Sequence, residues 1–299
     1  MLLCIDVGNT NITIGVFDGN DLICNYRMNT KVRRTSDEYG YLLHNFLASA
    51  GISTDQIEGV IVSSVVPKVM HSFRNGIVKF IHKEPLVIGP GVKTGVSVQL
   101  ENPRSVGSDR IADVAGAISE YGCPLLIVDF GTATTYDYVD ENGVFKAGAI
   151  GVGIESGANA LWGQTAQLPE VEIKKPRTVM AKNTQSAMQA GIFYQFLGGF
   201  EKTVEAFHRE AGDFKVIATG GLGRIICQHT DYIDVYDPNL IFKGLKVVYE
   251  RTRDYEQLRQ AKYGSAMADD RYTDAKGESS HERTDHDDGA EACSASETV

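Results

Sequence analysis

The sequence predicts an α/β protein built from a duplicated βββαβα unit, with mixed sheets and helices on both faces. Two observations predict it. Short apolar runs at 2–5 and 125–128 each end in an aspartate and a hydroxyl-rich glycine turn: Asp6-Val7-Gly8-Asn9-Thr10 and Asp129-Phe130-Gly131-Thr132-Ala133-Thr134-Thr135. Each turn is followed by alternating residues and then a second polar turn, Asp18-Gly19-Asn20-Asp21 in one half and Asp140-Glu141-Asn142-Gly143 in the other.

In the first half, strands are expected over 2–7, 11–17 and 22–29. A helix over 36–50 is signalled by Thr35 with Glu38 three residues later, the spacing of a capping box. Val60-Ile61-Val62 is short and β-branched, as a buried strand over 59–65 should be. Pro67 restarts the chain into a helix over 68–82. A stretch rich in Gly, Pro and Val, 84–103, connects it to a helix over 110–121. The second half repeats the order, with strands over 125–129, 133–139 and 144–150 and a helix over 155–162. A Pro- and Lys-rich loop, 168–179, precedes a long helix over 184–211. Strand 215–219, helix 221–229, strand 232–235 and helix 239–257 complete the unit. Domains are therefore expected at 1–122 and 123–260.

The long helix is apolar nearly all round from 187 to 200, more than one sheet-facing stripe requires. It is either buried within one chain or part of a subunit interface. Beyond residue 260 the composition turns to Ala, Asp, Glu, Ser, His and Gly. Residues 261–299 hold ten acids and four bases, net −6, and aromatics stop at Tyr272. Such a segment buries too little apolar surface to offset its ordering entropy, so a disordered acidic tail is expected. His281 and His286 flank acids there; solvation is the plain reading and stray metal binding the alternative.

Composition excludes several classes of function. Apolar residues make up 42% of the 299, with a single Trp, as in a soluble globular protein. No apolar stretch approaches 18 residues, and Asp6 follows Met1 without a basic leader, so neither a membrane span nor a signal peptide is expected. Five scattered Cys (4, 24, 123, 227, 293) without Cys-x-x-Cys read as reduced thiols of a cytoplasmic protein. The seven His show no zinc spacing. The net charge is −10, and no Lys/Arg cluster is present, which argues against nucleic acid as a partner.

The aspartate turns carry the chemistry. Two of them facing each other across a cleft would make a phosphate and metal site. The carboxylates would hold a divalent cation, and the turn N–H groups and Thr hydroxyls would hold phosphate oxygens. Taken alone, Asp6 with Gly8 also fits an ordinary hairpin turn. Asp109, in Gly107-Ser108-Asp109-Arg110, likewise fits an N-cap carboxylate. Thr184, in Asn183-Thr184-Gln185-Ser186, fits a helix N-cap as well.

Taken in order, Asp6-Val7-Gly8-Asn9-Thr10, Gly107-Ser108-Asp109-Arg110 and Asp129-Phe130-Gly131-Thr132-Ala133 resemble the signature of type III pantothenate kinase. That family belongs to the sugar kinase, heat-shock chaperone and actin superfamily. The similarity covers residues 1 to 257. It implies paired actin-like (ribonuclease H-like) domains, a cytoplasmic homodimer, and ATP-dependent phosphorylation of pantothenate to 4′-phosphopantothenate, the first step toward coenzyme A.

By resemblance, the residues wrapping the ATP phosphates are Asp6, Val7, Gly8, Asn9, Thr10, Asn11, Ile12 and Thr13, joined by Thr132 of the second turn. Asp6 would hold Mg²⁺ through water, and Asp129 a monovalent cation, K⁺ or ammonium. Asp109 falls on the catalytic base. Leu100, Gly107, Ser108, Asp109, Arg110 and Thr184 fall on substrate positions, and Thr219-Gly220-Gly221 on the adenosine side. Two positions depart from the family pattern. Leu100 stands where a Tyr is usual, and Val152 where a Pro is usual. The first loses a hydroxyl on the pantothenate side; the second loosens a loop.

Two other functions fit less well. A catalytically reduced nucleotide-binding paralogue with a regulatory role in transcription need not keep Asp109. A filament or chaperone ATPase needs inserted subdomains for which this chain is too short.

Overall fold

Two mixed sheets carry the fold of the computed structural model. Leu2–Val7 (β1), Asn11–Asp18 (β2), Asp21–Asn29 (β3), Gly59–Ser64 (β4) and Leu86–Val87 (β5) form the first, in the order β3-β2-β1-β4-β5. Ser97–Val98 (β6), Leu125–Phe130 (β7), Ala133–Val139 (β8), Val144–Val152 (β9), Lys215–Thr219 (β10) and Val235–Tyr236 (β11) form the second, in the order β11-β10-β7-β8-β9-β6. Apart from β6 at one edge, the second sheet repeats the first strand for strand. In both, the leading strand runs antiparallel to the next in sequence and parallel to the one reached by a helical crossover. The structure describes residues 1–264, with side chains through 260, so most of the expected tail lies outside the described residues. Residues 1–255 form one compact unit, and the described residues beyond it, 256–264, continue the last helix.

The helices are Ser36–Ser49 (α1), Pro67–Ile81 (α2), Ser108–Tyr121 (α3), Ile154–Gly163 (α4), Thr184–Ala211 (α5), Gly223–Cys227 (α6) and Leu240–Gly264 (α7). The capping box at α1 forms. Thr35 N–H donates to Glu38 Oε2 at 2.7 Å, and Glu38 N–H donates to Thr35 Oγ1 at 3.3 Å. Strand alternation then sorts the core. Leu3, Ile5 and Val7 pack under α1 and α2 with Leu43, Phe73 and Ile77. Cys4 and Ile61 point the other way, against Ala112, Phe242, Leu245 and Val248 of α3 and α7. The next residues of α3, Val114 and Ala117, pack on Leu125, Ile127 and Val139 of the second sheet. Helix α3 is thus shared between the two sheets.

Several boundaries differ from expectation. Helix α6 shortens to Gly223–Cys227 because Gly220, at φ +89°, turns the chain sharply first. The strand expected over 232–235 reduces to Val235–Tyr236. Helix α3 begins at Ser108, so Asp109 lies in its first turn and the N-cap is Gly107. Helix α7 runs through Gly264, into the segment expected to be tail, because good helix formers fill 256–263 and nothing breaks it earlier. It follows the second sheet in sequence yet packs on the first. Among the described residues no helix is long and apolar enough to cross a membrane.

Candidate active site

The two aspartate turns meet. Thr10 Oγ1 and Thr132 Oγ1 are hydrogen-bonded at 2.9 Å, one from each half of the chain. Each turn closes on itself: Gly8 N–H donates to Asn11 O at 3.0 Å, and Gly131 N–H donates to Ala133 O at 3.1 Å. Each is also braced from behind. Thr30 donates its hydroxyl to Gly8 O at 2.8 Å and its N–H to Thr10 O at 2.9 Å. Ser156 donates its hydroxyl to Thr132 O at 2.7 Å, and Gly153 donates its N–H to the same oxygen at 3.2 Å. A Cβ at Gly153 would collide with the carbonyls of Gly131 and Thr132.

Strand register aligns the carboxylates. Asp6 sits opposite Thr13 and Ser63, and Asp129 sits opposite Thr135 and Thr219, so each carboxylate is flanked by hydroxyls. Both occupy the ends of parallel strands, where α/β sheets take their ligands. Helix α3 enters between them. Its first residue, Ser108, shares a hydrogen bond of 3.0 Å with the Ser63 hydroxyl. The Ser108 hydroxyl also accepts from Ser64 N–H at 3.0 Å and lies 3.1 Å from Ser64 O. That hydroxyl therefore staples the start of α3 to the end of β4. Asp109 Oδ1 accepts the Arg110 N–H at 2.8 Å, and a side chain at Gly107 would collide with the Asp109 carboxylate. Arg110 turns away, pairing through Nε (2.9 Å) and Nη2 with Asp137, which is 1% exposed. A Cβ at Gly148 would come within 2.7 Å of Arg110 Nη2. This is why β9 carries glycine there.

Burial governs the charges. It pushes the Asp6 carboxyl up to about 7, helped by the Asp109 charge and opposed by the Ser63 hydroxyl. Burial likewise raises Asp129 to about 7, with Asp109 and Asp137 adding to the effect. Asp113, one turn after Asp109, is raised well above the carboxylate range by burial and then by Asp129, Asp109, Asp6 and Asp137. Asp137 is raised by burial, against the pull of Arg110.

Oδ1 of Asp6, Oδ1 of Asp113 and Oγ1 of Thr13 are buried without a hydrogen-bond partner in the protein. Orphaned hard oxygens of this kind are costly unless a cation or donor meets them. They suit oxygen-preferring metals. Among the described residues no three His, Cys, Asp or Glu side chains converge enough to hold a metal alone. A cation here must complete its shell from phosphate, hydroxyl, carbonyl or water.

Comparison with known proteins bears on this geometry. Residues 2–206 match the family model described as Type III pantothenate kinase. A type III pantothenate kinase from Bifidobacterium longum subsp. infantis is 54% identical over 252 residues, covering 84% of this chain and 99% of that protein. The chain belongs to the type III pantothenate kinase family.

Solved structures share the fold at much lower identity. A protein assigned to the Baf family of transcriptional activators, from Campylobacter jejuni, superposes with a TM-score of 0.53 at 19% identity, covering 84% of this chain and 99% of that one. The activator of 2-hydroxyisocaproyl-CoA dehydratase from Clostridium difficile, with bound ADPNP, gives 0.51 at 10%, covering 86% and 97%.

The remaining positions singled out by the family resemblance divide by exposure. Val7 and Ile12 are fully buried under α1 and α2, so only their backbone can face a ligand. Asn9 is exposed, and Thr13 is partly buried beside Asp6. Leu100 packs its side chain partly against the core around Val114, Leu125 and Phe145. Thr184 is the first residue of α5 and exposed. The cap is Asn183, whose Oδ1 accepts from Ser186 N–H at 2.9 Å, so the Thr184 hydroxyl is not used in capping. Sequence reasoning missed Asp113 and Asp137. Their signals were present: Asp113 is the lone charge in a small apolar run four residues after Asp109, and Asp137 is the lone charge in β8.

Proposed function

We propose that this chain transfers the γ-phosphoryl group of ATP to the primary hydroxyl of pantothenate, giving 4′-phosphopantothenate for coenzyme A synthesis. The observation that carries this reading is the Thr10–Thr132 contact, which sets two phosphate-binding turns face to face with Asp109 at the start of the helix between them. The halves 1–122 and 123–260 each contribute one turn. Asp109 accepts the hydroxyl proton as the alcohol attacks phosphorus, and Gly107 leaves its carboxylate room. Arg110, held by Asp137, and Ser108, held by β4, fix the helix start against which substrate is positioned, with Thr184 and the Leu100 segment as further substrate contacts. The orphaned Asp6 oxygen fits Mg²⁺ bound partly through water and Asp129 a monovalent cation, K⁺ or ammonium, and ions there would offset charge gathering on the transferring group. The setting is cytoplasmic, with neither nucleic acid nor membrane as partner.

A coupled assay of ADP release tests this. Release should require pantothenate and should fail when Na⁺ is the sole monovalent cation. ADP formation indifferent to pantothenate would remove the kinase reading, and full activity in Na⁺ would remove the monovalent site. A nucleotide-binding regulator would bind Mg·ATP without pantothenate-dependent turnover.

The acting species is a homodimer built around α5. Phe200 is 1% exposed and packs on Phe130 and Tyr136, so it belongs to the core. The same stripe of α5, Ile192, Phe196 and Phe200, lines a cavity of about 750 Å³ with Ile150, Val152 and Leu161. Ile150 is 65% and Val152 64% exposed, an apolar patch of the kind that partners cover. Light scattering should give a dimer, and Val152→Glu a folded monomer. A fully active wild-type monomer would overturn the dimer.

A further inference from the structure

Arg27 stands apart from the groups already assigned. Register places Asp6 opposite Thr13 and Thr13 opposite Arg27, so all three share one row on the cleft face of the first sheet. Arg27 is exposed, and its guanidinium has no ion pair or side-chain hydrogen bond among the described residues. Its guanidinium reaches the other half of the chain. A methyl carbon built on Gly221 would lie 3.5 Å from Nη1 and 3.9 Å from Nη2. The adjoining Gly220 carbonyl accepts the Tyr236 hydroxyl at 2.9 Å, and the Arg27 charge bears on that phenol. The guanidinium thus spans from the Asp6 turn to the glycine turn after β10.

Charge balance says what such a group is for. Asp6, Asp109, Asp113, Asp129 and Asp137 crowd the cleft with carboxylates, as their mutual effects on ionisation record. Arg110 is taken up by Asp137. A polyphosphate entering this cleft meets repulsion that cations must offset. An unpaired guanidinium with its fork open offers two parallel N–H donors to phosphate oxygens, which lysine cannot match.

We propose that Arg27 binds the α- and β-phosphates of the nucleotide, clamping them between the first sheet and the Gly220-Gly221 turn. This rests on the reading above that the cleft takes ATP with its γ-phosphate toward Asp109 and its adenosine toward Gly220-Gly221. Arg27 then stands between those two ends. It is a nucleotide-affinity residue and leaves the pantothenate side alone.

Calorimetric titration of the full chain with Mg·ATP, Mg·ADP and adenosine, together with steady-state kinetics, tests the assignment. Arg27→Gln should raise the Kd of Mg·ATP and Mg·ADP alike by about 10–100-fold. Adenosine affinity and the KM for pantothenate should stay put, and Arg27→Lys should recover part of the loss. Arg27 is exposed, so circular dichroism of both variants should match the wild type. Unchanged nucleotide affinity in Arg27→Gln would overturn the proposal, as would an equal loss for adenosine, which would place the side chain at the base or ribose. A fall in kcat with Kd unchanged would also overturn it, moving the cation to the γ-phosphoryl group. Wild-type protein that binds no Mg·ATP would instead remove the nucleotide reading on which the proposal stands.

Discussion

Asp109→Asn should lower kcat by about 10²–10⁴-fold, the usual size of general-base assistance, while nucleotide binding survives. The reason lies in what the substitution keeps. Asp109 Oδ1 accepts the Arg110 N–H, and an Asn side-chain oxygen can do the same, so the first turn of α3 should persist. Ser108 remains stapled to β4. What disappears is the proton acceptor and one negative charge. That charge is the second cause, after burial, of the raised Asp6 and Asp129 carboxyls. Removing it should ease ionisation of both and leave Mg·ATP affinity equal or tighter. Rapid-quench kinetics and calorimetry on the same preparation separate the two effects. A variant keeping more than roughly a tenth of wild-type kcat would show that Asp109 is not the base.

Gly244→Ala should cost stability and catalysis together. Helices α3 and α7 cross at a pair of glycines. A Cβ at Gly244 would collide with the Ala112 carbonyl, and one at Gly116 would lie 2.8 Å from Gly244 N and 2.9 Å from Leu240 O. These neighbours are backbone, so relief requires a helix to shift. Overpacking of this kind costs about 1–3 kcal/mol. For a chain of this size each kcal/mol lowers Tm by about 2–4 °C. Because α3 carries Asp109 and Asp113, its displacement should depress kcat more than nucleotide affinity. Gly191→Ala is the control. It lies on α5 with nothing within 4 Å of an added Cβ, so helix propensity alone should make it neutral or mildly stabilising. Equal melting temperatures for the two variants would refute the crossing argument.

Much of the fold was legible because its signals are local. The capping box at Thr35 and Glu38 and the β-branched run of β4 reside in a few consecutive residues. The repeat of strand, aspartate and glycine turn does too, and the structure forms all of them. Boundaries slipped where a single backbone angle intervened. Gly220 at φ +89° delayed α6, and the glycine cap at 107 started α3 earlier than its apolar periodicity suggested.

The site was legible in part for the same reason. Asp6, Thr10, Asp129 and Thr132 sit in turns whose carboxylate, glycine and hydroxyls are neighbours in the sequence, whereas Asp109, which locally fits a helix opening, stood out only through the family resemblance. Asp113 and Asp137 did not stand out, because a single acid in an apolar helix or strand gains meaning only from what it faces. Asp137 matters through Arg110, held there by the missing side chain of Gly148.

By itself, then, the sequence determined the duplicated βββαβα order, the paired aspartate turns and the family to which the chain belongs. Those follow from short-range periodicity and turn stereochemistry. Only the tertiary structure decided that Thr10 touches Thr132, that α7 returns to pack on the first sheet, that Phe200 lies in the core, and that Arg27 reaches Gly221. Each is a meeting of residues far apart in the chain. Strand register and glycine-permitted helix crossings select it, and neither leaves a mark on any one stretch of sequence.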